Sequence, residues 1–202
     1  MKRLISIFLL FILSLTCLKA GNSRTEFTYG IEWGYKASIL TGGHMNFFAP
    51  DGYRVDIDKN ALNFYANSHA AIHMGMDIKD LWNLSACFGY AGIADYHHSI
   101  PITIRLTRFF KTNAKGDRWL SFIDAGSGIS IKKAPEEIFS GKVGAGYRIS
   151  LSKDTKLDFL AAGEIVMTHP EVNYYGTIIP ADRINRNNGY VASVSLSMSL
   201  TF

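Results

Sequence analysis

His97 and Ser99 stand one residue apart, a base and a hydroxyl at a spacing that lets an imidazole take a serine proton and leave an oxygen nucleophile for acyl transfer. His69 and His73 invite a metal reading, but on an extended chain four residues separate them by about 13 Å, and zinc asks for three or four convergent donors. His44 and His169 belong to segments that could meet only through long loops. Cys87 has no partner once the N-terminal Cys17 is set aside, so no internal disulfide is expected. No phosphate-cradling glycine loop, zinc-protease motif or paired-cysteine motif occurs, and neither metal nor cofactor is expected. The remaining chemistry is electrostatic, in a set of charges comprising Asp124, Lys142, Arg148, Asp158 and Glu164.

These residues sit on a chain written almost throughout with a period of two. Tyr190, Ala192, Val194, Leu196, Met198, Leu200 and Phe202 alternate with Ser193, Ser195, Ser197, Ser199 and Thr201. Seven earlier segments repeat the pattern, covering 27–39, 62–78, 82–96, 100–110, 119–131, 139–151 and 157–168. The fifth is the least clean, because Leu120 and Phe122 fall on its polar side, and Arg108 is a misfit on the apolar side of the fourth. The pattern predicts an all-β fold, an eight-stranded antiparallel up-and-down transmembrane β-barrel following a cleaved signal peptide. Residues 1–20 read as that signal, with Lys2 and Arg3 ahead of an apolar run and Ala20 at the cut, and 21–202 as one barrel domain. The run is too short for a retained spanning helix, and Cys17 lacks the small preceding residue of a lipoprotein signal. The signal carries three of the 21 basic residues, leaving 18 against 17 acidic ones, so the formal charge of +4 is no argument for nucleic acid.

Alternation alone leaves open which face is wet, since a secreted lipocalin-like binding barrel alternates just as well. Side-chain size decides for lipid outside. The polar face is crowded with Gly30, Gly34, Gly75, Gly89, Gly126, Gly128, Gly144, Gly146 and serines, which suits the cramped interior of eight strands. Trp33, Tyr147 and Leu196 are then expected outward, with Gly30, Arg148 and Ser197 inward. Phe27, Tyr29, Trp82, Phe110, Trp119, Phe159 and Phe202 form one aromatic girdle, and Phe64, Tyr96, Phe139 and Tyr190 the other. With the N-terminus in the periplasm, joints at 79–83, 111–117 and 152–154 face inward. Joints at 41–60, 97–99, 132–138 and 169–189 face outward.

The tight turn at 152–154 fixes one register, which sets Arg148 opposite Asp158 and Lys142 opposite Glu164, with Asp124 expected to flank Arg148. Such pairs predict a plugged lumen rather than an open pore. Met45, Phe47, Phe48 and Tyr53 in one outer loop and Tyr174, Tyr175, Ile178 and Ile179 in the other predict a cap over the barrel mouth. Docking of an extracellular partner through 41–60 and 169–189 is the alternative.

Over residues 25–202 the chain resembles the small eight-stranded outer-membrane barrels of the OmpA and OmpX type, in strand number, loop asymmetry and the terminal run Leu196-Ser197-Met198-Ser199-Leu200-Thr201-Phe202. The resemblance implies the outer membrane of a Gram-negative-type bacterium, contact with outer-membrane lipid, and reading of Phe202 by the barrel assembly machinery. OmpA relatives often add a periplasmic domain, which is not expected here because the chain ends at the eighth strand. The expected role is structural or surface interaction without catalysis. The His97-x-Ser99 spacing is similar to part of the arrangement in lipid A deacylases, which makes a lipid A-modifying enzyme, deacylase or acyltransferase, the competing function. That family has Asn after its Ser and an acidic partner further along, where this chain has Ile100 and Lys111, so a polar hairpin tip is the preferred reading.

Overall fold

A sheet that meets hydrocarbon must leave no backbone edge unpaired, and eight long strands here close on themselves. The computed structural model describes residues 25–94, 97–110, 116–131 and 136–202. Its strands are β1 (Thr25–Phe48), β2 (Arg54–Ile78), β3 (Trp82–Ala94), β4 (His97–Phe109), β5 (Arg118–Ile131), β6 (Glu137–Ser150), β7 (Lys156–Thr168), β8 (Asn173–Tyr174), β9 (Thr177–Ile178) and β10 (Ile184–Thr201). All but β8 and β9 form one closed barrel in the order β1-β10-β7-β6-β5-β4-β3-β2, with antiparallel neighbours. The signal-peptide segment, Asp95 and Tyr96, Lys111 and most of the joints at 111–117 and 132–138 lie outside the described residues.

The apolar face points out. Trp33 and Leu196 are exposed, Leu196 by 70%, and Tyr147 is half-buried, whereas Gly30, Arg148 and Ser197 are buried. A soluble ligand-carrying barrel would turn these residues the other way. Two hydrogen bonds between Tyr29 and Phe202, of 3.1 and 2.8 Å, close the seam between the first and last strands, and the two rings stack at 5.7 Å. The β2–β3 hairpin turns through Lys79 and Asp80, both at positive φ (53° and 57°), the double left-handed geometry of a tight hairpin turn.

Three expectations change. Residues 41–60 are mostly strand rather than loop: β1 and β2 stay paired up to Phe48 and Arg54, leaving only 49–53 as the connection. Residues 169–189 shrink likewise, since β10 begins at Ile184 and the remainder holds the β8–β9 hairpin and a short 3-10 turn, Ala181–Arg183. Above the membrane both faces of a strand meet water or protein, so the contrast that marks a strand in lipid disappears from the sequence while the pairing continues. His97 and Ser99 are not a hairpin tip but lie within β4, paired with Ala94 and Ala91.

Leu120 and Phe122, the misfits of the fifth segment, are lumen residues. With Phe109 and Leu160 they make a buried apolar cluster inside the barrel. Glycine makes room for it: a Cβ on Gly144 would lie 2.6 Å from the Phe122 ring and 2.6 Å from the Ala161 carbonyl oxygen. Gly144→Ala is therefore expected to lower stability by about 1–3 kcal/mol, read as a shift in the urea unfolding midpoint of the refolded barrel. An unchanged midpoint would mean that the lumen has slack.

Candidate functional site

Period two delivers every second residue of each strand to a lumen only wide enough for side chains, and the charges delivered there must satisfy one another. Five buried bases (Lys36, Arg105, Arg118, Arg148, Lys156) meet five buried acids (Glu32, Asp77, Asp124, Asp158, Glu164), and the half-buried Lys142 adds a sixth base on the inward face.

Near the end that carries the termini, Arg148 holds Asp158 through two parallel hydrogen bonds, Nε to Oδ1 and Nη2 to Oδ2, each 2.7 Å. Arg118, 1% exposed, donates to the Asp80 carbonyl oxygen at 2.8 Å and so ties the β2–β3 turn to the interior. Both guanidiniums lie over the Phe109 ring, at 3.8 Å for Arg118 and 4.4 Å for Arg148. Asp77 accepts from Asn83 at 2.7 Å and faces Lys156 at 3.6 Å.

Midway, Arg105 is shared. Its Nε and Nη2 donate to Asp124 at 2.8 and 2.9 Å, its Nη1 donates to Glu32, and its plane covers Phe122 at 4.6 Å. Glu32 also accepts from His69 Nε2 and Ser197 Oγ, each at 3.2 Å. Lys36 reaches Glu164 at 3.3 Å. Toward the other end, Ile93, Ile138, Val166 and Val191 form a buried apolar layer. Among the charged residues lies a cavity of about 50 Å³ bordered by Glu32, His69, Arg105, Asp124, Lys142 and Glu164.

Lys142 faces Glu164 across β6 and β7, as Arg148 faces Asp158, although the ion pair of Glu164 is made to Lys36. Asp124 does not flank Arg148. The β5–β6 register pairs it with Lys142 and puts Arg118 opposite Arg148, so Asp124 stands about 20 Å further along the strand and turns to Arg105 instead. Glu32, Lys36 and Arg105 fall on the polar faces of their segments, but alternation alone names no partner for them, and Arg118 lies just before the fifth alternating segment.

The histidines disperse. His73 bonds Ser199 Oγ at 3.1 Å, apart from the His69–Glu32 contact. His44 and His169 do not meet: His44 Nε2 contacts Asp56 at 2.7 Å and His169 Nδ1 contacts the Asn187 carbonyl oxygen at 3.0 Å. The bond from His44 holds the exposed Asp56 carboxyl below its ordinary range, with Asn46 adding a second hydrogen bond at 2.8 Å. Among the described residues no group of three His, Cys, Asp or Glu is placed to hold a metal ion. Ser99 is buried and its hydroxyl donates to the Ala91 carbonyl oxygen at 3.0 Å, so its proton is not presented to His97.

Outside the barrel, β2 leaves β3 beyond His69 and β10 leaves β7 beyond Gly189, so β2, β1 and β10 continue as a three-stranded blade. Its inner face carries Met45, Phe47, Val55, Ile57 and Ile184, covered by Val172, Tyr174 and Ile179 from the segment after β7. The Tyr53 and Tyr174 hydroxyls meet at 2.8 Å. On the opposite face the ring of Tyr190 crosses Gly42 to donate to Asn60 at 2.8 Å, and a Cβ on Gly42 would strike that ring at 2.5 Å.

No protein-family model matches the chain, and no curated protein matches it. Among solved structures, the outer membrane protein OprG from Pseudomonas aeruginosa aligns over 90% of this chain and 98% of its own, with TM-score 0.51 and 7% identity. The fold is that of the small outer-membrane β-barrels. Neisserial surface protein A aligns over 88% of this chain and 97% of its own (TM-score 0.48, 12% identity). The N-terminal β-barrel domain of Pseudomonas aeruginosa OprF aligns over 89% and 100% (TM-score 0.41, 13% identity). At such identities an outer-membrane barrel of this kind is defined by its architecture, and its particular work must be read from its own lumen and blade.

Proposed function

We propose that this protein is an integral outer-membrane barrel with a sealed lumen and a structural or surface-interaction role, without catalysis. The observation that supports the reading is an outward apolar wall around an interior of buried, mostly paired charges, with a buried apolar layer of Ile93, Ile138, Val166 and Val191. Two features of the blade favour a surface role. Among the described residues no strand pairs with the outer edge of β2 over residues 54–68, and an open edge of this kind accepts an added strand. Tyr175 at the β8–β9 tip is 91% exposed, beside an exposed Ile178, while the loop residues beneath them are packed as a cap. Phe202, hydrogen-bonded to Tyr29 at the seam, would be the aromatic that the barrel assembly machinery reads.

The expected results are heat-modifiable migration on a denaturing gel, recovery in the outer-membrane fraction, and no steady single-channel conductance in planar bilayers. Steady conductance would remove the sealed lumen from the reading. The enzyme alternative rests on His97 and Ser99 and predicts lipid A species of altered mass when the gene is deleted; unchanged species retire it.

A further inference from the structure

Arg108 is an oddity in the lipid-facing wall. It lies on the outward face of β4, exposed, level with Trp82 on β3 and Ser121 on β5, its cross-strand partners. Around it that face is apolar, with Leu106 and Ile104 next on β4, Leu84 on β3 and Ile123 on β5. The guanidinium rests against two aromatic rings of the girdle, 5.4 Å from the centre of Trp82 and 5.8 Å from that of Phe110. Among the described residues nothing accepts a hydrogen bond from it.

A charge on the hydrocarbon-facing side of a barrel is costly unless it reaches the interface and finds a counter-charge there. Two rings hold the guanidinium plane in place and leave its N–H edge unoccupied, a fork that matches the oxygens of a phosphate. Ser121, half-buried on the same face and directly across the strand pair, adds a hydroxyl donor beside it. The lumen acids cannot serve, because they lie on the other side of the wall. The exposed Lys79 in the turn that leads to Trp82 adds a second positive charge at this end of the barrel.

We propose that Arg108 and Ser121, walled by Trp82 and Phe110, form a site for the headgroup phosphate of an anionic phospholipid in the leaflet at the barrel end that carries the termini. The site fixes the depth of the barrel by one charged contact where the remaining wall offers only apolar area. It rests on the membrane-spanning reading, and insertion is scored separately from lipid choice in the test.

The test uses the refolded barrel with Trp33→Phe and Trp119→Phe, so that Trp82 is the one remaining tryptophan. It is inserted into phosphatidylcholine vesicles containing a minor fraction of brominated phosphatidylglycerol. Heat-modifiable migration reports insertion, and quenching of Trp82 reports which lipid sits beside it. Phosphatidylglycerol is expected to be enriched about fivefold over random mixing at Trp82, the scale of one interfacial charge. Arg108→Gln is expected to return the quenching to random mixing. Arg108→Lys keeps the charge without the fork and should fall between the two; it takes the place of the Gln variant if that one does not insert. Random mixing in the parent, or enrichment that survives Arg108→Gln, overturns the proposal. Enrichment abolished by inorganic phosphate at the same concentration as the lipid would assign the site to a free anion and overturn the lipid assignment.

Discussion

Arg105→Ala is expected to destabilise the barrel by about 3–5 kcal/mol, the largest effect of any single lumen substitution. Arg105 is buried and binds two carboxylates at once, Asp124 through two hydrogen bonds and Glu32 through a third. Its removal leaves two buried carboxylates facing each other with no base between them, in a space enlarged by the lost side chain. The Phe122 ring also loses the cation that covers it. Urea unfolding of the refolded protein, followed by tryptophan fluorescence, measures the loss. The companion variant Arg105→Ala with Glu32→Gln and Asp124→Asn should recover much of it, since neutral amides need no counter-charge. A cost for the single variant below about 1 kcal/mol, the scale of a solvated ion pair, would show that water fills the interior.

The second large effect belongs to the opposite side of the wall. Leu196 is 70% exposed, midway along β10 between Tyr190 and Phe202, with Tyr35 and Ala161 as its cross-strand neighbours. Leu196→Arg is expected to cost about 2–4 kcal/mol in lipid vesicles, because a guanidinium at the bilayer midplane has no water to keep. Met167 is similarly exposed but pairs with Tyr190 and Phe139, level with a girdle, and Met167→Arg is expected to cost only about 0–1 kcal/mol. Equal costs at the two positions would mean that the outward face does not meet hydrocarbon in this way.

Inside the membrane the sequence was nearly sufficient. A strand between lipid and a packed lumen must alternate, so Trp33 and Leu196 against Gly30 and Ser197 carry the sidedness in the sequence itself. The short turn after Leu151 gave the one register that could be counted, and Arg148 opposite Asp158 followed from it. Partners separated by longer joints could not be counted. Asp124 and Arg105 face each other across β4 and β5, whose connecting residues 110–117 are too many to fix a register by counting, so the alternation shows Arg105 as inward-facing but does not name its partner. The blade was hidden for a different reason: Thr41 to Phe48 alternate in neither size nor polarity because no lipid touches them, yet their backbones pair as regularly as those below. Leu120 and Phe122 looked like errors in the pattern only because an apolar plug inside a barrel breaks the rule that inward means polar.

The contact between Tyr29 and Phe202 ties nearly the first described residue to the last. A cylinder sewn along such a line cannot close until β10 has been made, since the seam joins the barrel's first strand to its last in sequence. Ring closure across the whole length is the slowest kind of ordering event, governed by topology more than by stability. The unfinished sheet in the meantime has two raw margins, β1 and β10, that would join any similar strand they met. Until β10 meets β1, those margins stand as templates for unintended pairing.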